Sequence, residues 1–259
     1  DNAGNSTTSD LAVTVDTTPP DGTTSVTITS DAGKLVDAAH PTNDTTPTLS
    51  GHVEGAQPGD RVVIRDGNTV LGTASIADDG SWTFTPPNAL IDGSHSITAT
   101  VTDAVGNAGT PSAATDYIQN TVKPNAATDI HVTNDVTNTE VPANGITNDT
   151  TPTLSGKATA GSTINILDKD GNILTTVQAD DKGEWQTSVP VLADGLYDAL
   201  QVQVVDNAGN HAETSVPAFT VDTVNHNTTS IESTSGKADA TPTFNGQVIL
   251  ADGDTYQTV

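Results

Sequence analysis

The chain of 259 residues contains no cysteine and no methionine. No disulfide can staple the fold and no thiol can act as a nucleophile. Each folded unit must therefore be held by its own apolar core. Aromatic residues are few, with 2 Trp, 3 Tyr and 3 Phe, so a binding surface built on ring stacking has little to draw on. No apolar run approaches the roughly 18 residues that a membrane-crossing helix needs. Basic side chains are scarce as well, 8 Lys and Arg against 33 Asp and Glu, for a net charge of -25. Such a field repels nucleic acid and anionic membrane surfaces and attracts cations. Glutamate is also rare, and the acidity is mainly aspartate, a residue of turns rather than of helices. There is no Gly-x-Ser-x-Gly elbow, no phosphate-binding loop and no His-x-x-x-His pair. The histidines at 40, 52, 95, 131, 211 and 226 are scattered and are expected on the surface. No constellation for catalysis emerges, and the chain reads as a non-enzyme.

What the chain does have is repetition. Asn43–Gly51 reads NDTTPTLSG and returns letter for letter at 148–156, 105 residues later. A worn third copy, ADATPTFNG, occupies 238–246. A second motif, DNAGN at 1–5, recurs as DAVGN at 103–107 and as DNAGN at 206–210. Repeats at this spacing describe an array of modules, each near the usual size of an independent domain. The boundaries follow. Residues 1–17 are expected to be the last turn and strand of a preceding module, 18–121 and 122–224 are complete modules, and 225–259 begin a further one. Acid is spread evenly, with 12 acidic and 3 basic residues in 18–121 and 14 and 4 in 122–224. The joint at Thr17-Thr18-Pro19-Pro20 should be stiff, because proline fixes φ and biases its predecessor toward extended backbone. The joint at 223–227 has no proline and is expected to be the loosest.

Within each module the apolar pattern has period two. Val26 and Ile28 share a face, as do Leu49 and Val53, Val62 and Ile64, Trp82 and Phe84, and Ile97, Ala99 and Val101. The second module repeats this with Ile130 and Val132, Leu154, Ile164 and Ile166, Trp185, and Leu200, Val202 and Val204. Turn signals such as Asp66-Gly67-Asn68, Asp79-Gly80, Asp92-Gly93, Asp170-Gly171-Asn172 and Asp194-Gly195 separate the runs. Short alternating strands at this spacing predict an all-β fold of tandem immunoglobulin-like β-sandwich modules. Strands are expected near 24–31, 47–54, 61–66, 69–76, 81–86, 95–103 and 112–120. Stacked end to end, such modules make an elongated, monomeric rod. Trp82 and Trp185 fall in phase with inward residues and are expected in the cores.

This strand order puts the loop after the first strand, the loop after the fifth strand and the end of the last strand at one pole. The loop before the last strand lies at the opposite pole. Asp44, Asp92 and Asn120 of one module should then face Asp206 and Asn210 of the next. The same logic brings Asp16 toward Asp103 and Asn107, and gathers Asp149, Asp194 and Asp222 at the last joint. Carboxylates and amides converging on one gap suit Ca2+, which takes about 6–8 oxygen ligands in loosely constrained geometry. A second reading uses no metal: Asp or Asn before Thr-Thr-Pro forms a side-chain-capped turn, and Asp-Gly forms hairpin turns by default. The case for an ion is weaker at Asp78, Asp79, Asp180 and Asp181. Asp66, Asp168 and Asp170 read as plain hairpin turns.

Taken together, NDTTPTLSG, the Asp-Gly-x-Trp run, the ITATVTDAVGN strand and turn, and VDTTPP resemble the bacterial Ig-like repeats of giant type I secreted adhesins and their biofilm-associated relatives. The resemblance spans essentially the whole chain. It implies a secreted or cell-surface rod of repeats that pack on their neighbours, with Ca2+ at the joints. Asp16, Asp103, Asp44, Asp92, Asp206, Asp149, Asp194 and Asp222 would hold that Ca2+. It also implies attachment of the full protein to host-cell or matrix glycans, through these modules or through others that they carry. Two departures stand out: Asn120 occupies the place of Asp16 and Asp222, and Ala238-Asp239 replaces Asn-Asp.

Overall fold

A computed structural model describes residues 2, 3, 6, 13–224, 228–233 and 244–249. It is all-β among these residues. In the first complete module the strands are β1 (Thr27–Thr29), β2 (Thr48–His52), β3 (Arg61–Asp66), β4 (Thr69–Ser75), β5 (Ser81–Phe84), β6 (Gly93–Thr102) and β7 (Thr115–Gln119). They form two sheets, β1-β2-β5 and β4-β3-β6-β7. The expected alternation decides which side chains enter the space between the sheets. Ile28, Leu49, Val62, Ile64, Ile97, Ala99 and Val101 are fully buried, and Trp82 fills the space beside them. The repeated motif enters β2 through Leu49 and ends on Gly51, against which the indole lies. A Cβ on Gly51 would come 2.8 Å from the Trp82 ring and 2.1 Å from the Ser25 carbonyl. Only glycine lets strand and ring approach that closely.

The second module follows the same plan. Its strands are β8 (Thr128–Asn134), β9 (Thr139–Glu140), β10 (Gly145–Thr147), β11 (Thr153–Lys157), β12 (Thr163–Leu167), β13 (Ile173–Gln178), β14 (Glu184–Ser188), β15 (Gly195–Tyr197), β16 (Gln201–Val205), β17 (His211–Ser215) and β18 (Phe219–Val221). They build sheets β14-β11-β8-β9, β13-β12-β16-β17 and β10-β18-β15. The core of Val132, Leu154, Ile164, Ile166, Trp185, Val202, Val204 and Phe219 shares no residue with the first. Two further strands, β19 (Thr228–Ser233) and β20 (Phe244–Ile249), pair antiparallel. The joint expected to be loosest lies partly outside the described residues.

The differences from expectation have local causes. The last strand of the second module is interrupted at Val216-Pro217-Ala218, because proline brings no N–H to the ladder. Its neighbour is interrupted too, between β15 and β16; the span from Gly195 to Val205 is one residue longer than the unbroken β6. The first strand is short, Thr27–Thr29, with only an isolated bridge from Thr24 to Val53 before it. Residues 13–17 form no strand.

Two parallel contacts decide where the functional loops sit. In the second module β10 runs parallel to β18, with Gly145, Ile146 and Thr147 opposite Phe219, Thr220 and Val221. In the first module one parallel bridge, Thr42 to Gln119, does the same work. Thr42 N donates to Ile118 O at 3.1 Å and Asn120 N to Thr42 O at 2.9 Å. The bridge ties Asn43-Asp44 to the end of the module.

One histidine corrects the surface expectation. His95 is buried, with Nδ1 2.7 Å from Asp66 Oδ2 and Nε2 2.8 Å from Ile91 O. Its ring stacks on Tyr117 at 4.9 Å. The equivalent pair in the second module is Tyr197 on Phe219 at 5.5 Å, and Tyr197 Oη donates to Ala193 O, four residues back. Both residues pin the loop that carries Asp92 or Asp194, one as imidazole and one as phenol. Asp66 accordingly does more than start a hairpin: it also accepts the Ser96 N–H at 2.9 Å. Beside this group the Tyr117 hydroxyl and both amide atoms of Gln119 are buried without a partner. Burial, with the charges of Asp66 and Asp44, pushes the Tyr117 hydroxyl well above its ordinary range. Gln119 occupies the place that Val221 takes in the second module, as their pairing with Gly93 and Gly195 shows. Replacing Gln119 by valine removes unpaired buried polar atoms and should stabilise the first module by about 1–2 kcal/mol, measured as a higher urea midpoint with unchanged slope.

Candidate functional site at the module joints

The middle joint brings together groups from both modules. The loop between β16 and β17 is folded by Asp206, whose Oδ1 accepts Ala208 N at 2.9 Å and Asn210 N at 2.8 Å. Gly209 turns this loop with φ of +95°. The turned loop presents Ala208 O to Asn43 N across the joint at 3.0 Å. Gly209 lies beside the Asn43 amide, and a Cβ there would sit in ordinary contact with it, 3.6 Å from Nδ2. Asn210, itself buried, donates through Nδ2 to Asn120 O at 2.9 Å and to Asp206 Oδ2 at 2.9 Å. Asn120 Oδ1 accepts Val122 N at 3.0 Å. That bond fixes the orientation of the amide, so Nδ2 faces Asp206 Oδ2, at 3.4 Å.

The pole expectation is thus met for Asn120, Asp206 and Asn210, which converge with Asn43. Asp44 and Asp92 share that pole, yet each carboxylate is turned into its own module. Asp44 accepts Asp31 N at 2.8 Å and Thr46 N at 3.0 Å. Asp92 accepts Thr121 N and Thr121 Oγ1, both at 2.9 Å. The last joint repeats the pattern. Asp149 is buried and accepts Asp135 N at 2.7 Å and Thr151 N at 2.8 Å. Asp194 accepts Thr223 N at 3.1 Å and its hydroxyl at 2.9 Å. Asp222 accepts Val224 N at 3.0 Å.

At the first joint Asn107 Nδ2 donates to Asp16 O at 3.1 Å, the counterpart of the bond from Asn210 to Asn120. Asp103 gathers the backbone N–H groups of Val105, Gly106 and Asn107 at 2.7–3.0 Å on Oδ1, and Asn107 Nδ2 at 2.8 Å on Oδ2. Here, however, Asp16, Asp21, Asp60 and Asp103 all line one hollow of about 400 Å³. Among the described residues no three of His, Asp and Glu are grouped closely enough to hold a metal ion by themselves. The acids away from the joints cap their own turns. Asp79 binds Ser81 N and Oγ, Asp180 binds Lys182 and Glu184 N, and Asp168 binds Asp170 N, Asn172 N and Asn172 Nδ2.

These caps set the response to acid. Burial alone would raise Asp103, but the Asn107 amide and the backbone N–H groups outweigh it and hold its carboxyl below the ordinary 3.8. The Asn172 amide does this for Asp168, the Glu184 N–H for Asp180, the Ser81 hydroxyl for Asp79 and the His40 ring for Asp37. A lowered carboxylate adds stability that is present above its unfolded value and is lost as pH falls through the folded one. The melting temperature should therefore hold level from about pH 8 to about pH 5 and drop below about pH 4. The sequence isoelectric point near 4.1 makes the test decisive. If relief of self-repulsion governed stability, the melting temperature would instead rise as pH approaches that value.

A family model described as a bacterial Ig-like domain matches residues 18–122 and again residues 119–223. Among solved structures the chain is similar to the fibronectin(III)-like modules of CbhA from Clostridium thermocellum. The identity is 16% and the TM-score 0.45, over 76% of this chain and 94% of that one. It is similar to the tetra-tandem repeat in the extending region of a large adhesion protein at 18% identity and a TM-score of 0.27, over 92% and 83%. It is similar to the BSP domain of a biofilm associated protein at 22% identity and a TM-score of 0.25, over 72% of this chain and only 29% of that one. At such identities the likeness concerns the fold alone. No curated protein sequence matches the chain. With two tandem matches that take in most of its length, the chain belongs to the bacterial Ig-like domain family.

Proposed function

We propose that these modules are a spacer segment in the repeat region of a bacterial surface adhesin, exposed outside the cell, which carries an adhesive part away from the surface. The observation that carries this reading is the middle joint, where two family modules are fastened by hydrogen bonds rather than left on a free linker. The absence of cysteine and the evenly spread negative charge fit a chain that needs no oxidation to fold and stays soluble in the open. Attachment to host-cell or matrix glycans belongs, on this reading, to other parts of the full protein.

Ca2+ enters the proposal at the first joint. Four aspartates line the hollow there, and carboxylate oxygens are the hard donors that this ion prefers. Asp103 spends both of its oxygens on its own loop, which leaves Asp16, Asp21 and Asp60 to close on an ion. Asp16 stands where the middle joint has Asn120. Bound there, the ion would neutralise carboxylates that otherwise repel. At the last joint Asp149 and Asp194 spend both oxygens on their own module, so Asp222 is the carboxylate that would turn to an ion there, with the next module supplying the opposite side.

Two measurements test the spacer reading. The isolated chain is applied to a glycan array and to host cells, and no binding is expected. In the parent adhesin, exchanging residues 18–224 for unrelated sandwich modules of equal length should preserve attachment, whereas deleting them should reduce it. Glycan binding by the isolated chain, or loss of attachment on the equal-length exchange, would make the modules themselves adhesive.

A further inference from the structure

We propose that the middle joint is a cation-independent lock in which asparagine amides take the part that a metal ion would take between carboxylates. The inference rests on the reading of the chain as a tandem array whose joints set its shape.

Consider the polar atoms that face the gap. Asp206 Oδ2 carries the negative charge, and two Nδ2 groups are aimed at it, from Asn210 at 2.9 Å and Asn120 at 3.4 Å. Asn120 O, the other strong acceptor, is taken by Asn210 at 2.9 Å. A cation site needs several oxygens directed inward with no hydrogens between them. This gap presents amide hydrogens instead, so the residues do not fit the ion. The two flanking carboxylates cannot turn in to help. Asp44 and Asp92 spend both oxygens on N–H and O–H groups of their own module.

The comparison along the chain isolates the residue responsible. The first joint has Asp16 and the last has Asp222 where the middle joint has Asn120. An aspartate at 120 would keep the bond to Val122 N through one oxygen. It would then set its other oxygen against Asp206 Oδ2, in place of a donor. Two like charges at hydrogen-bond range separate or recruit a counter-ion. Asparagine keeps the shape, reverses the polarity of one atom and removes one charge. The contact of Asn43 N with Ala208 O, 3.0 Å, then closes the joint from a second side and is indifferent to cations. Segments of one rod thus differ in what stiffens them: some joints answer to the calcium of the surroundings, and this one does not.

The test uses the full chain. Because it contains no cysteine, Lys34→Cys and Lys169→Cys, at exposed positions on the two modules, give two unique spin-label sites. Electron–electron double resonance then reads the distance distribution in EDTA and in about 5 mM calcium, well above the 10⁻⁴–10⁻³ M range of extracellular modules. The labelled chain should give one narrow distribution of equal width in both. Adding Asn120→Asp should broaden it about twofold in EDTA, as expected for freely moving domains, and calcium should narrow it again. Adding Asn120→Ala, which removes the amide without adding charge, should leave it broad in both conditions. Tryptophan emission, with one reporter per module, verifies that each variant remains folded. A parent distribution that broadens in EDTA would overturn the proposal, as would an Asn120→Asp distribution that stays narrow there. Neither outcome depends on whether the modules bind glycans, so the spacer reading stands or falls separately.

Discussion

Trp82→Ala should take a large share of the stability of the first complete module and leave that of the second one unchanged. The indole is 2% exposed and lies in a core with Ile28, Leu49, Val62, Ile64 and Ile97. Its Nε1 donates to Thr24 Oγ1 at 2.8 Å. Truncating a buried tryptophan to alanine removes its transfer free energy and leaves a cavity, at a combined loss of about 3–5 kcal/mol. A domain of this size holds roughly 5–15 kcal/mol in total. Gly51 and its neighbours make relaxation hard, since a backbone strand, and not a flexible side chain, forms one wall of the hole. The two cores share no residue, so the loss should stay within one module. The chain reports on itself: with Trp82 gone, Trp185 is the sole indole, and its emission should follow the second module at its unaltered midpoint. Amide hydrogen exchange should quicken for core residues of the first module only. Trp185→Phe makes the contrast, because the Trp185 Nε1 has no partner to lose; it should cost well under half of the alanine change.

Asp149→Ala should cost the second module about 3 kcal/mol, the larger part of it from unpaired backbone. The carboxylate is 4% exposed. It satisfies the N–H groups of Asp135 and Thr151, at 2.7 and 2.8 Å, and its own N–H binds Thr147 Oγ1. Bonds to charged groups contribute roughly 1.5–3 kcal/mol each, and a buried donor left without an acceptor is penalised by about 1–3 kcal/mol. Asp149→Asn keeps one acceptor and should lose about half as much. Asp44→Ala removes the same two bonds in the first module, but Asp44 is half-buried and water can reach the freed groups, so the loss should be smaller. Urea titrations of the three variants, with calcium and with EDTA, read both magnitude and cause. A loss equal in both conditions assigns the repeated Asn-Asp pair to turn formation. A loss seen only with calcium assigns it to an ion.

Much of the fold was legible because side-chain parity in a strand is rigid. Ile28, Leu49, Val62, Ile64, Ile97, Ala99 and Val101 alternate in the sequence, and a strand can bury them only on one face. The meeting of Asn120 with Asp206 and Asn210 was legible for a related reason: strand order fixes which loops share a pole. What pattern could not give was the direction of each carboxylate at that pole. Asp44 and Asp92 lie where expected but bind donors of their own module, the Asp31 and Thr46 N–H groups in one case and Thr121 in the other. Asp31 and Thr121 lie 13 and 29 residues away, so no local pattern announces them. His95 was misread by residue type, although it stands in phase with Ile97, Ala99 and Val101. Its partner Asp66, 29 residues away, is what makes a buried imidazole tolerable, and nothing local announces that pairing. The interrupted strands of the second module trace to Pro217 and to one added residue before β16, small features that a repeat of shared motifs conceals.

The parallel pairing near each module's two ends also determines how the array bears load. In the proposed role of a spacer the array is pulled from its ends, so the segment near the start of a module and the strand at its end are drawn in opposite directions along their own axes. Hydrogen bonds between parallel strands are then loaded in shear, all together, and do not open one by one. The second module sets three residue pairs against such a pull, Gly145–Thr147 on Phe219–Val221, while the first has the single bridge of Thr42 to Gln119. Under rising tension the first module should therefore yield first. Its chain of about 100 residues would release roughly 330 Å of slack at full extension, while its neighbour remains folded and the tether unbroken.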